Sequence, residues 1–251
     1  MRTIDPALGP NDLRHLASID FTPTSFVTDG QHRRAEAIQL RRTDRLPFAA
    51  PPGWARFEAE LSASLDTESV RLDVIADEHR PDLAAASDLT ESLRLYDASY
   101  HEEIYWWTAG LAASDGIPQS SLISAAEGDR VDVGRSFPAT EDSHRRPELD
   151  EDRSKILVLS TFDDSPGSVL RCGEALSAVL LDATMAGFAT CTVTHLMEFP
   201  ASRAVVSKLS GGKWPQVLIR VGLVPLPADT PPPTPRRPVD EVFDVRPETT
   251  N

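Results

Sequence analysis

Guanidinium groups are concentrated at two places in a strongly acidic chain. The 251 residues include 25 Lys and Arg against 39 Asp and Glu, which gives a formal net charge of −14. Five Arg but only two acidic residues lie between Arg33 and Arg45, and a second pair, Arg236 and Arg237, lies in a proline-rich tail. Because the planar guanidinium fork matches phosphate oxygens, both places are candidates for holding an anion. Structural ion pairing is the alternative for each place taken alone.

The first cluster ends in the segment RRTDRLPF, residues 41–48. A phosphate bound there could receive two guanidinium forks and a hydroxyl group from Arg41, Arg42, Thr43 and Arg45. The alternative is a basic helix end that complements the negative end of the helix dipole. The segment considered by itself favours this second interpretation.

His195 and the two cysteines are the other candidates for chemistry. No second His or carboxylate lies at metal-ligand spacing from His195, so a structural role, or a hydrogen bond to the edge of a ligand, is favoured over metal binding. Cys172 falls on an apolar helix face, where a thiol behaves as a small hydrophobic group. Cys191 is expected in a loop, and no group nearby in the sequence would activate its thiol. Nucleophilic catalysis by either cysteine is therefore not expected.

The predicted helices and strands that must position these residues are typical of one α+β domain over residues 1–251. Apolar periodicity predicts helices from Gln31 to just before Pro47, around 54–61, and over 81–95, 98–111 and 168–186. Strands are predicted at 71–77, 155–161 and 216–224. Tyr100, Ile104 and Trp107 have the spacing of core residues on one helix. Residues 1–29 are expected to be irregular, 114–152 to form a polar flap, and 225–251 to form a proline-rich arm.

Several function classes are excluded by composition. No apolar run has the roughly 18 residues that a membrane span requires. The acidic balance disfavours nucleic acid and anionic membranes as partners, because phosphate would be repelled. Two cysteines are too few for a disulfide framework, and no apolar leader segment is visible, so a cytoplasmic protein is expected. The glycine signatures of Rossmann and P-loop nucleotide sites are absent from the sequence, as is that of serine hydrolases.

As an ordered set, six stretches of the sequence resemble the FMN-dependent nitroreductase family, and in particular the mycobacterial Acg-type NAD(P)H nitroreductases. The stretches are ASIDFTP, RRTDRLPF, AAASDLTESLRLYDASYH, WWT, LLDATMAGFATCT and TPRRPVDEVF. The resemblance covers essentially the whole chain. It implies a nitroreductase-like α+β fold, with a mixed sheet flanked by helices, and FMN as the cofactor.

The resemblance also implies which residues contact FMN. Arg41, Thr43 and Arg45 match a family pattern that grips the phosphate and ribityl chain, with Arg42 between them. The basic pair that closes on the phosphate corresponds to Arg236 and Arg237, so the two Arg clusters would meet there. Where the family often has Glu-Gly near the flavin N5, this chain has Thr194 and His195, which puts the usual contact in doubt. No catalytic acid or base is implied.

One element of the family pattern is missing. A segment ending in Asn-x-Gln-Pro-Trp, which in the family covers the other side of the flavin, does not occur in the sequence. The chain is therefore expected to be an N-terminally shortened form with one wall of a two-walled site, which self-association could complete. Three functions remain open: hydride transfer from NAD(P)H through FMN to a nitroaromatic or quinone-like acceptor, flavin binding without NAD(P)H turnover under a closed flap, and an inactive fragment.

Overall fold

The fold contains a four-stranded antiparallel sheet covered by helices on both faces. The computed structural model describes residues 2–3, 18–19, 22–108, 116–138, 140, 143–225 and 237–242. Its strands are β1 (Arg2–Thr3), β2 (Ser18–Ile19), β3 (Val70–Ile75), β4 (Lys155–Thr161), β5 (Ala189–Val193) and β6 (Trp214–Gly222). Strands β1 and β2 pair with each other, and the other four form a sheet in the order β3-β4-β6-β5.

Strand β4 lies in the middle of the core, which explains why its sequence is almost continuously apolar. Leu157 pairs with Val74 on one side and with Ile219 on the other. Alternate residues of β4 enter two different hydrophobic clusters, with Ile156 in one and Leu157 in the other. In a strand that is buried on both faces, apolar residues do not alternate with polar ones.

The helices supply the two outer layers. They are α1 (Asp29–Leu40), α2 (Trp54–Ser64), α3 (Arg80–Arg94), α4 (Ala98–Thr108), α5 (Ala125–Gly128), α6 (Pro166–Met185), α7 (Pro200–Ser210) and α8 (Val239–Val242). Leu83 of α3 and Val206 of α7 belong to one cluster. Phe57 of α2 and Val179 of α6 belong to the other. Helix α6 is followed by Gly187 at φ +81, the left-handed conformation that favours glycine.

The predicted α+β class and its three predicted strands are confirmed, with strand ends shifted by at most two residues. The sheet was predicted to be mixed, but its strands are antiparallel. All pairings within the four-stranded sheet are antiparallel, and the parallel pairing in the described residues is an isolated bridge between Thr43 and Thr190.

Three local predictions were wrong. Helix α1 ends at Leu40 instead of continuing towards Pro47, because Arg41 is already extended and Thr43 pairs with β5. Cys191 lies in strand β5, not in a loop, and is 6% exposed. Trp107 is exposed, although Tyr100 on the same helix is buried.

Parts of the predicted irregular lead-in, flap and proline-rich arm lie outside the described residues. These parts are Met1, residues 4–17 and 20–21, residues 109–115, Ala139, residues 141–142, residues 226–236 and residues 243–251. They include Arg236 and the last residues of the helix predicted over 98–111. The single-domain prediction for residues 1–251 stays a prediction.

Candidate functional site

A cavity of about 640 Å³ lies between helix α3, the end of strand β5 and the polar segment around residues 123–137. One face of α3 forms the first wall, since its lining residues are spaced three or four positions apart: Ala84, Ser87, Asp88 and Glu91. The second wall runs along β5 through Cys191, Thr192, Val193 and Thr194. The polar segment supplies the third wall, which includes Ser124, Arg135 and Phe137.

Arg45 brings the arginine-rich segment to this cavity. The Thr43–Thr190 bridge and a hydrogen bond of 2.9 Å from the Asp44 backbone N–H to the Thr190 carbonyl hold the segment against β5. The Arg45 guanidinium lines the cavity and lies 4.7 Å from the centre of the Phe137 ring. No carboxylate within the described residues forms a salt bridge with it. Burial lowers the pKa of Arg45, although Cys191 and Asp44 oppose the shift.

Two buried ion pairs fix the backbone around Arg45. Arg146 donates to Asp44 and, at 2.9 Å, to the Pro47 carbonyl. Arg220 donates to the Leu46 carbonyl at 3.0 Å and to Asp152 at 2.8 Å and 3.0 Å.

Asp152 also accepts a hydrogen bond of 2.8 Å from the backbone N–H of Phe48. Burial acts to raise the pKa of Asp152, but the Arg220 and Arg80 guanidinium groups and the hydroxyl of Ser154 outweigh it and lower this pKa. This segment is therefore rigid before any ligand arrives.

Thr194 and His195 occupy different positions relative to the cavity. Thr194 lines it, whereas His195 is 1% exposed and lies behind the lining residues. The Nε2 of His195 lies 2.8 Å from the Oγ of Ser87, which does line the cavity, and its Nδ1 has no hydrogen-bond partner. Burial, assisted by Arg135, lowers the pKa of His195 to about 4, so the imidazole is neutral at neutral pH.

The other predicted cofactor residues are distributed as follows. Arg42 and Thr43 line a second, much smaller space of about 10 Å³, which they share with Arg45. Arg41 is exposed at the end of α1, and Arg237 is exposed on the described segment 237–242. Arg236 lies outside the described residues, so the expected meeting of the two Arg clusters is not tested.

The α3 wall and the lining residues of the polar segment were not among the residues that the sequence predicted for the site. The spacing of Ser87, Asp88 and Glu91 placed them on one helix face, but their polarity was equally typical of a solvated face. Arg135 and Phe137 carried no periodic signal. The backbone N–H of Ser136 donates to the Glu91 carboxylate at 3.3 Å, which connects the two missed walls. Burial raises the pKa of Glu91.

The polar segment has internal order of its own. Helix α5 begins with a capping box formed by Ser124 and Glu127. Arg145 donates to both carboxylate oxygens of Glu127, at 2.9 Å and 2.7 Å. Burial would raise the pKa of Glu127, but the hydrogen bonds from Arg145 and the Ser124 backbone lower it to about 2. The segment therefore forms a fixed wall of the cavity.

Metal-ligand clusters and membrane-spanning helices are both absent from the part of the chain that the structure describes. There, no three His, Cys, Asp or Glu side chains are grouped closely enough to bind a metal ion. Within the same residues, none of the helices combines the length and the apolar character that crossing a bilayer requires.

Similarity to known sequences identifies the family. A Mycobacterium tuberculosis protein named "Putative NAD(P)H nitroreductase acg" is 62% identical over 238 residues, which cover 94% of this chain and 72% of that protein. A second protein of the same organism, also named a putative NAD(P)H nitroreductase, is 33% identical over 94% of this chain and 68% of its own length. The chain therefore belongs to the nitroreductase family, in its Acg-type branch. No protein-family model matches the chain.

Similarity to solved structures supports the same fold. The FMN-dependent nitroreductase NfnB from Mycobacterium smegmatis, in complex with NADPH, has a TM-score of 0.53 at 17% identity, over 87% of this chain and 100% of that one. The FMN and NADPH-dependent NfnB from Sphigopyxis sp. strain HMH has a TM-score of 0.51 at 18% identity, over 85% and 98% of the two chains. The fold of this chain is thus the nitroreductase fold.

Proposed function

We propose that the chain is an FMN-dependent oxidoreductase that takes hydride from NAD(P)H and delivers it to a nitroaromatic or quinone-like acceptor. Family membership supports this proposal, because the 62%-identical relative is named for NAD(P)H nitroreductase activity. The names of two proteins with the same fold include FMN and NADPH.

The observation that carries the proposal is the unpaired, partly buried guanidinium of Arg45 at the cavity wall. A buried cation without a carboxylate partner is costly, and an anionic ligand would compensate that cost. Arg42 and Thr43 lie next to Arg45 around a space of about 10 Å³, so their side chains are close to an anion that Arg45 would bind at the cavity wall. The proposed FMN-binding residues are Arg41, Arg42, Thr43, Arg45, Thr194, Arg236 and Arg237, and His195 is proposed to act on the site through Ser87.

The cavity is large enough for a flavin, and Arg45 offers the flavin phosphate a positive charge. Its volume of about 640 Å³ lies within the range of about 300–1,000 Å³ that small-molecule sites occupy. When bound, FMN supplies the hydride chemistry. Thr194 and Ser87 place hydroxyl groups on the walls, and the Phe137 ring adds an apolar surface to the lining. His195 holds Ser87 in place as a neutral imidazole, without exchanging a proton with the reactants.

The phosphate assignment is tested by replacing Arg45 with alanine. Loss of a charge-assisted hydrogen bond of about 1.5–3 kcal/mol weakens binding about 10- to 100-fold. A flavin fluorescence titration with FMN should show this loss for Arg45→Ala. Arg56→Ala is the matched control, because Arg56 is exposed and pairs only with Glu60 on the same helix. Unchanged affinity in Arg45→Ala would contradict the assignment.

A second candidate function is flavin binding without NAD(P)H turnover. The polar segment lines one side of the cavity, and Phe137 lies against Arg45. A wall placed in this way would hinder access of a nucleotide to the flavin ring. Bound flavin that dithionite reduces and NAD(P)H does not would support this candidate.

The location and assembly of the protein are also proposals. Cys172 and Cys191 are free and buried, which is consistent with the proposed cytoplasmic location. Self-association would cover the open side of the flavin with residues of a second copy, in place of the family's Asn-x-Gln-Pro-Trp segment, which the sequence lacks. Sedimentation velocity with and without FMN tests it, with a dimer in the presence of FMN as the expected species.

A further inference from the structure

Three of the seven charged side chains that line the cavity are neutralised by partners. Arg220 is paired with Asp152 at 2.8 Å. Asp132 is paired with Arg80 at 2.6 Å. Arg135 is bound to Glu198, which also accepts from Arg94. These groups therefore contribute little net charge to the interior of the cavity.

Among the lining residues that have no salt bridge, acidic side chains outnumber basic ones. Among the described residues, Asp88, Glu91 and Asp129 line the cavity without a salt bridge, and Arg45 is the one lining cation without one. Asp88 and Glu91 lie one turn apart on the face of α3 that forms the wall. Arg94 and Arg135 lie near Glu91, but both are already bound to Glu198. The unpaired groups leave an excess of two negative charges.

We propose that this acidic wall selects the acceptor by charge, so that cationic and neutral aromatic acceptors are reduced in preference to anionic ones. The proposal rests on the proposed function, in which the FMN phosphate occupies Arg45. Once Arg45 is occupied, the unpaired charge facing the rest of the cavity comes only from the three carboxylates. Asp88, Glu91 and Asp129 are then the residues that determine specificity.

The size of the effect is limited by exposure to solvent. Two unit charges about 6 Å apart in water change an equilibrium or a rate about threefold. Asp88 and Asp129 are exposed, so salt also screens them. We therefore expect about a tenfold difference between a monocation and a monoanion of the same shape at low salt, and a smaller difference at high salt.

The test measures how fast reduced flavin in the full chain is reoxidised. The chain is loaded with FMN, desalted and photoreduced without NAD(P)H, with EDTA as the electron donor. It is then mixed anaerobically with naphthoquinones that carry a trimethylammonium or a sulfonate substituent. The flavin loses a hydride, and the quinone gains that hydride and a solvent proton to become the hydroquinone. Each rate is divided by the rate with free reduced FMN, which corrects for the reduction potential of the acceptor.

The expected ratio of corrected rates, cation over anion, is about ten in the wild-type chain. It should fall towards one in the double variant D88N/E91Q and stay near ten in Asp82→Asn, a substitution on the same helix away from the cavity. A ratio of one in the wild-type chain would overturn the inference, and so would a ratio that the double variant leaves unchanged.

Failure of the proposed function gives a different result. A chain that retains no FMN contradicts the flavin site itself. Charge selection is then measured from the dissociation constants of two inert probes, naphthyltrimethylammonium and naphthalenesulfonate. Equal constants for these probes would overturn the inference, and tighter binding of the cation, lost in D88N/E91Q, would sustain it.

Discussion

Asp152 connects the arginine-rich segment, strand β6 and helix α3, and replacing it with asparagine tests how the site is held. Its carboxylate is fully buried and accepts hydrogen bonds from Arg220, Arg80, Ser154 and the Phe48 backbone. Asparagine keeps the shape but removes the charge. Arg220, whose side chain is 1% exposed, would then be a buried cation without a counterion.

Breaking a buried pair in this way typically costs about 3–5 kcal/mol. This is a large part of the roughly 5–15 kcal/mol by which a folded protein is stable. Equilibrium unfolding in urea, followed by tryptophan fluorescence, should show a much lower midpoint for Asp152→Asn. FMN binding should weaken in parallel, because the Arg45 segment loses its support.

Asp164→Asn is the control for the Asp152 prediction. Asp164 pairs with Arg203 at 2.8 Å, but its side chain is 40% exposed, so its loss should cost about 1 kcal/mol or less. Equal costs for the two variants would refute the reasoning. If Asp152→Asn does not fold, Ser154→Ala gives a milder test, since it removes one hydrogen bond to Asp152 and should cost about 1 kcal/mol.

Two further predictions concern buried groups near the site. The folded-state pKa of His195, about 4, lies below its ordinary value of 6.5, so the unfolded chain binds the proton first and stability falls as pH drops from about 6.5 towards 4. In His195→Gln, urea midpoints measured between pH 6.5 and 5 should decline less than in the wild-type chain, and an identical decline would contradict the account. A Cβ at Gly222 would clash with the Cβ of Phe48, so Gly222→Ala should cost about 1–3 kcal/mol by overpacking. Gly173→Ala meets no atom within 4 Å and should stabilise helix α6 by about 0.5–1 kcal/mol, so thermal unfolding that ranks these two variants the other way would contradict the packing.

The parts of the fold that the sequence predicted are those with strong local patterns. The apolar strands β4 and β6 and the long helix α6 were recognisable because their side chains enter the core at regular intervals. Strand β5 was missed because it has only five residues and follows α6 closely, although its Thr and Val residues favour strands. Its strand character depends on pairing with β6, which is distant in sequence. Helix α7 was also missed, because its sequence PASRAVVSKLS mixes small and polar residues.

The candidate site was predictable only where charge is unusual in type and position. Arg45 stood out because Arg is concentrated around it in an acidic chain, and it does line the cavity. The burial of His195 could not be predicted, because it depends on Ser87, which lies 108 positions earlier in the chain. The acidic lining formed by Asp88, Glu91 and Asp129 could not be distinguished from a solvated surface without the tertiary structure.

The central claim is that this chain binds FMN and reduces it with NAD(P)H. The most direct test is the visible spectrum of the chain after incubation with FMN, desalting and anaerobic addition of NAD(P)H. The account predicts a retained flavin absorption band that bleaches on addition of the nucleotide. A colourless protein after desalting would contradict the flavin site, and a retained band that NAD(P)H leaves unchanged would contradict the oxidoreductase function.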